Sequence, residues 1–303
     1  MKFGKVSSVE GIDLSLPKDH PDTKSVFEQA KASRNSGRPN IFIGCSRWGK
    51  SDLKGFYPRG TKDELAYYST QFNTVELNAS FYRIFPPEQF EKWKEKTTQN
   101  FRFAPKIPQQ ISHYRQLNNV ADVLDEFLNS AVRLEEKMGT TFLQLNERFA
   151  PNRLEKLAKF AELWPSDLPL SIEVRHAEWA ADQVAADELY DMLKSNGVTS
   201  TLVDTAGRRD LVHMRMTTPA PFVRYVGAND PSDYQRLDEW VERIGSWIDQ
   251  GMTELYFFIH QNIEEASPLL AAYFVNQLNE QLGYNLHVPV TTSTPPPIKT
   301  LFD

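Results

Sequence analysis

One cysteine, Cys45, occurs in 303 residues, so no disulfide can close within the chain. No apolar run approaches the roughly 20 residues that a membrane-spanning helix needs. The opening stretch, MKFGKVSSVEGIDLSLPKDH, has no apolar segment of the length a secretory signal requires. Positive charge is in deficit: 34 Lys and Arg stand against 40 Asp and Glu, a net charge of −6. That balance excludes global attraction to nucleic acid or to an acidic membrane surface, and leaves room only for a local basic patch. The expectation is a soluble cytoplasmic protein with no membrane partner. Two motifs are missing as well. The segment after the first apolar run, GCSRWG at 44–49, lacks GxGxxG, and no HExxH occurs anywhere.

What is present is a rhythm. Residues 1–40 are polar and broken by Pro and Gly, which reads as an extension lying across a domain. From Ile41, short apolar or β-branched runs recur at 41-IFIGC, 74-TVELNAS, 101-FRFAPK, 141-TFLQL, 169-PLSIEVR, 198-VTSTLVD, 221-PFVRYVG and 254-ELYFFIH. Segments of helical period lie between most of them, such as 86-PPEQFEKWKEKT and 119-NVADVLDEFLNSAVRLEEKMG. Gly139 and Gly197 follow helical stretches and suit a left-handed C-terminal cap. Pro86 and Pro87 suit a first turn. Eight strands alternating with helices over about 240 residues fit an α/β (β/α)8 TIM barrel across 41–286. An open doubly wound sheet is the runner-up. The proline-rich stretch 287–303 reads as an extended tail.

In such a barrel the chemistry sits at the C-terminal ends of the strands. Those ends deliver Ser46, Arg47 and Trp48; Glu76, Asn78 and Tyr82; Lys106 and, in its loop, His113. The later strands deliver Gln144; Glu173, Arg175 and His176; Asp204; Arg224; and His260. Charged groups within runs this apolar need partners, because isolated burial is costly. A single Glu-x-Arg-His could be an ion pair that stiffens the rim. Polar residues at the ends of six or seven strands point to a ligand site.

These residues also carry a family likeness. The blocks IGCSRW, FYPRG, YYSTQFNTVELNASFYR, FRFAPKIPQQISH and IEVRHAEW resemble the YecE-like family, catalogued as domain of unknown function seventy-two, over about residues 41–282. The resemblance implies a TIM barrel and settles no activity. It implies functional weight at Gly44, Trp48, Glu76, Asn78, Phe81, Tyr82, Lys106 and His113. The same holds for Gln144, Glu173, Arg175, His176, Trp179, Asp204 and Arg224. Three places depart from the family pattern. Val226 stands where the seventh strand commonly has histidine, Asn146 and Glu147 replace a proline pair, and FIHQN replaces paired asparagines. A histidine role at strand seven would then pass to His260.

Three functional readings follow. The first is an enzyme for a small anionic substrate, a phosphate ester, sugar acid or nucleotide-like molecule. The loop SRWGKSDLKGFYPRGTK carries five basic residues against one Asp, and Arg suits bidentate anion binding. Trp48, Asn78, Tyr82, Lys106, Gln144, Arg175, Arg224 and His260 would bind the ligand. Glu76, Glu173, Asp204, His113 and His176 would supply acid–base chemistry of a hydrolase or isomerase. The second is a metal-dependent barrel hydrolase or isomerase, which Lys106, Arg175 and Arg224 oppose electrostatically. No cofactor is indicated by motif. The third, less favoured, is a non-catalytic nucleic-acid or ligand binder, since basic and aromatic residues interleave at 47–59 and 81–85. Oligomeric state has no sequence signal.

Overall fold

The structure, a computed structural model, describes residues 4–33 and 37–291. After helix α1 (Pro21–Ser33), eight strands follow in order. They are β1 (Asn40–Cys45), β2 (Thr74–Leu77), β3 (Arg102–Pro105) and β4 (Thr141–Gln144). The rest are β5 (Leu170–Glu173), β6 (Thr199–Thr205), β7 (Phe222–Gly227) and β8 (Glu254–Gln261). Every strand begins within one residue of its expected start. All pairings are parallel, in the spatial order β3-β2-β1-β8-β7-β6-β5-β4. β3 and β4 close the ring through parallel bridges Phe103–Met138 and Lys106–Phe142, with Ile107 N–H donating to Phe142 O at 2.9 Å. The chain is a nearly closed (β/α)8 barrel, as expected.

The outer ring holds α2 (Glu64–Gln71), α3 (Ala79–Tyr82), α4 (Pro87–Lys96), α5 (Ala121–Ala131) and α6 (Leu154–Leu163). It continues with α7 (Glu178–Ala181), α8 (Gln183–Ser195), α9 (Ser232–Gln250) and α10 (Ser267–Leu282). Pro87 opens α4, where a missing N–H costs nothing. The long helix expected over 119–139 stops at Ala131. A tight helical stretch over 132–137 follows, with Glu135 at φ 49°. Gly197 takes the left-handed cap at φ 64°, but Gly139 does not. Gly139 is needed for room instead: a Cβ there would stand 2.6 Å from Tyr256 Oη and 2.9 Å from Phe103 O.

Side chains alternate across each strand. Leu255, Phe257 and Ile259 of β8 face the helices, while Tyr256, Phe258 and His260 face the barrel axis, where Tyr256 and Phe258 join a separate inner cluster. That cluster adds Phe42, Ala104, Phe142 and Phe222, with Phe42 stacked on Tyr256 at 4.8 Å between centroids. This dry aromatic plug fills the lower barrel. Polar residues then occupy the next inward positions toward the C-terminal end. Among the described residues no helix is long and apolar enough to cross a membrane.

α1 lies inside the stretch read as an extension, and its short apolar face was not anticipated. Thr23, Val26 and Phe27 are buried against the barrel. Of the tail expected over 287–303, residues 292–303 lie outside the described residues.

Candidate functional site

Arg224, inward on β7 just above Phe222, is the hub of the mouth. Its Nε and Nη2 donate to the two oxygens of Glu76 at 2.9 and 3.0 Å, a bidentate fork. Its Nη1 reaches Glu173 Oε2 at 2.7 Å. Glu173 also receives Arg175 Nε and both contacts of Gln144 Nε2, at 3.0 Å each. Gln144 is thereby oriented so that its Oε1 accepts from Lys106 Nζ at 2.9 Å. On the other side, Glu76 Oε2 contacts His260 Nε2 at 3.0 Å, and Asn78 Nδ2 donates to Glu76 Oε1 at 2.8 Å. Six strand ends thus feed one buried network.

The network sets each group's charge. Burial raises the Glu173 carboxyl, but Arg175 and Arg224 outweigh it and hold the group down at about 2. Burial likewise opposes the charge on Glu76, and Arg224 with His260 keeps it well below the usual carboxylate range. Burial disfavours a charged His260, yet the adjacent Glu76 raises its pKa overall. Lys106 goes the other way. Burial, reinforced by Arg224, lowers it to about 7. Its carboxylate neighbours act on it only through space.

Above this floor lies a cavity of about 280 Å³, bounded in part by Ser46, Asn78, Tyr82, Lys106, Arg175 and His260. Ser46 Oγ is buried there without a hydrogen-bond partner among the described residues. Glu264, beyond β8, stands 3.7 Å from His260 Nδ1, and Lys5 reaches the rim from the N-terminal segment. Neither was a sequence candidate. Glu264 follows His260 by four residues, a weak signal, and Lys5 gave none.

Some expected members are elsewhere. Asp204 faces outward from β6 and accepts from Arg209, from Arg236 Nη2 at 2.6 Å and from Trp240 Nε1 at 2.7 Å. Val203 and Thr205 take the inward positions on that strand, so Asp204 cannot reach the cavity. Trp48 packs edge-on against Trp93 at 6.1 Å and its carbonyl accepts from Tyr57 Oη. His176 sits at the rim, half-buried, accepting Glu178 N–H. His113 packs edge-on to Phe81 at 5.1 Å, and burial with the nearby Lys106 lowers it to about 4. The loop cations are also less free than their count suggests, for Arg47 pairs with Asp52 at 2.9 Å and Arg115 with Asp122.

No three His, Cys, Asp or Glu side chains cluster as a metal site among the described residues. Both glutamates already hold a guanidinium between them, so the donor set does not fit a dication.

A family model described as a protein of unknown function, DUF72, matches residues 42–294. The chain belongs to that family. The UPF0759 protein YecE of Escherichia coli K12 is 29% identical over 242 residues, covering 73% of this chain and 86% of that protein. The UPF0759 protein YunF of Bacillus subtilis 168 is 29% identical over 174 residues, covering 54% of this chain and 60% of YunF. Among solved structures, a DUF72 family protein of Enterococcus faecalis V583 superposes with TM-score 0.64 at 19% identity, covering 84% of this chain and 99% of that one. One from Thermotoga maritima MSB8 gives 0.61 at 23% identity, covering 81% and 100%. These structural likenesses support the barrel alone. Within this DUF72 barrel, Val226 and His260 are register partners on β7 and β8.

Proposed function

We propose that the mouth is the active site of an enzyme that takes a small substrate bearing an anionic group and works on it by acid–base chemistry, of a hydrolase or isomerase kind. One observation carries the reading. Residues at all eight strand ends enclose a cavity whose wall includes an amine poised near neutrality, Lys106, and Ser46, whose buried hydroxyl has no partner among the described residues. A rim brace needs one ion pair, and burying more costs stability rather than adding it. Two carboxylates offset Arg175 and Arg224. Lys106 and His260, the latter beside Glu264, leave a mouth that favours an anion when both are protonated. At about 2, Glu173 is too weak a base near neutral pH, so the acid–base roles fall to Lys106 and His260. The volume sits near the low end of ligand pockets, roughly 300–1,000 Å³, which favours a substrate of a few carbons.

Inorganic phosphate is the direct probe. At ten times its Kd it should stabilise the protein by about 1.4 kcal/mol and raise the melting temperature accordingly. Arg175→Ala should remove that shift. An unchanged melting temperature of the wild type across a phosphate titration would end the anion reading. A second reading has one specific support: Tyr82 and Tyr114, 66% and 72% exposed, flank a surface hollow with Arg83 and Arg115. Bases of a single-stranded nucleic acid could stack there, and binding would then fall steeply with salt.

A further inference from the structure

Lys106 differs from the other cations of the floor in what holds it. Arg224 and Arg175 bind carboxylates, whereas Lys106 Nζ donates to a neutral amide oxygen, Gln144 Oε1. Glu173 fixes that amide by accepting both contacts of Nε2, so the oxygen cannot swing away. Two aromatic rings also flank the amine. Nζ lies 4.4 Å from the Phe81 ring centroid and 5.5 Å from that of Phe142. The side chain is buried, yet it forms part of the cavity wall. Gln144 Oε1 engages one N–H of the amine, and among the described residues no carboxylate hydrogen-bonds to it. The rings themselves attract an ammonium, so it is burial, with Arg224 nearby, that favours the uncharged amine.

We propose that Lys106 is a nucleophile that forms an imine with a small carbonyl compound carrying a carboxylate or phosphate group. This deepens the active-site reading above and rests on it. The neutral Nζ adds to the carbonyl carbon and one of its protons passes to the carbonyl oxygen, giving a carbinolamine. The second N–H proton leaves with that oxygen as water, and a C=N bond replaces C=O. Protonated, the imine draws electrons from the adjacent carbon, which weakens a C–H or C–C bond there and so suits isomerisation or aldol-type cleavage. The charged groups facing the amine are Glu76 from β2, His113 after β3, Glu173 and Arg175 from β5, and Arg224 from β7. Two anions offset two guanidiniums, and burial then decides the protonation of Lys106. At pH 7 about half the Lys106 population is free amine, against roughly one in three thousand for a lysine at its ordinary value of 10.5.

The test is reductive trapping on the full chain. The protein is incubated at pH 7 with cyanoborohydride and, separately, glyoxylate, pyruvate, glyceraldehyde 3-phosphate or dihydroxyacetone phosphate, and labelled lysines are mapped by peptide mass spectrometry. One reduced adduct per chain, concentrated at Lys106 and absent from Lys106→Arg, is expected with at least one probe. The two acids against the two phosphate esters tell which anionic group the mouth prefers. Lys106→Met removes the amine without burying a new charge and serves if the arginine variant does not fold. Labelling that is absent with all four probes, or spread over surface lysines equally in wild type and variant, overturns the imine. If phosphate still raises the melting temperature in that event, the anion-binding site survives and only the nucleophile is lost. If phosphate does nothing either, both fall.

Discussion

Glu173 shows what one residue contributes to the mouth. It accepts from Gln144, Arg175 and Arg224 and is fully buried, so a single carboxylate orients the amide, both guanidiniums and, through Gln144, the amine of Lys106. Glu173→Gln should destabilise the protein by about 3–5 kcal/mol at neutral pH, because it leaves a buried guanidinium short of an anion. The pH dependence has a fixed sign. The folded pKa is depressed to about 2 from 4.5, so the unfolded chain binds more protons between those values. The stabilisation is complete above about pH 4.5 and is lost as pH falls through 2. Between pH 6 and 3.5 the wild type should lose about 1.4 kcal/mol more than the variant in urea unfolding. An equal loss in both proteins would mean that charge at Glu173 is not what holds the floor together. At this scale the sequence was informative where strand parity is plain. Glu76 and Asn78, two apart on one strand end, both reach the network. Asp204 was misplaced because Thr-Ser-Thr-Leu-Val-Asp offers no clean alternation by which to choose its face.

An element is positioned by what faces away from the site as much as by what faces it. Asp204 is the clearest case, since its two acceptors gather Arg236 and Trp240, one helical turn apart on α9, and Arg209 from the following loop. It ties β6 to the helix that covers β7. Asp204→Asn should therefore lower unfolding free energy by about 3–5 kcal/mol, leaving the buried Arg236 with Asp233 as its one carboxylate partner among the described residues. The phosphate-induced shift in melting temperature should stay as in the wild type. Loss of that shift with the fold intact would return Asp204 to the ligand site. Strand positions were legible because parallel strands covered on both faces read as short apolar runs between turn residues. Helix ends were less so. The period over 119–139 continues through residues that the chain tightens at Glu135, and Gly139 proved to serve close packing against Tyr256 rather than a cap. A close approach also explains Gly44, whose Cβ would meet Thr74 O of β2 at 2.1 Å. Neither constraint is visible before the strands are paired.

For the whole molecule, the matter that the barrel rhythm left open is how the stretch before β1 is held. The family match begins at residue 42, yet the described residues 4–33 are tied across α9 and the mouth. Leu16 N–H donates to Glu239 at 2.8 Å, and Asp19 accepts from Arg243 Nη1 at 2.6 Å and Trp247 Nε1 at 3.0 Å. Farther up, Thr205 Oγ1 and Gly207 N–H both reach Gly4 O, which sets Lys5 beside the cavity. Val26 and Phe27 anchor α1, so the polar contacts of residues 16–19 should decide whether the part before it stays docked. Asp19 is the natural point of failure, because its carboxylate joins this stretch to two side chains of α9, Arg243 and Trp247. Asp19→Ala removes both acceptors from a partly buried site, a loss of about 1–3 kcal/mol. That energy concerns docking of the segment rather than closure of the barrel, whose strands pair with one another and not with this stretch. Limited proteolysis should then cut the variant before residue 40 well ahead of any cut in the barrel, while the wild type resists at both places. Phosphate binding should weaken modestly as Lys5 is released from the rim. Equal cleavage of wild type and variant before residue 40 would show that Asp19 does not hold the segment, leaving α1 and its buried Phe27 as the anchor.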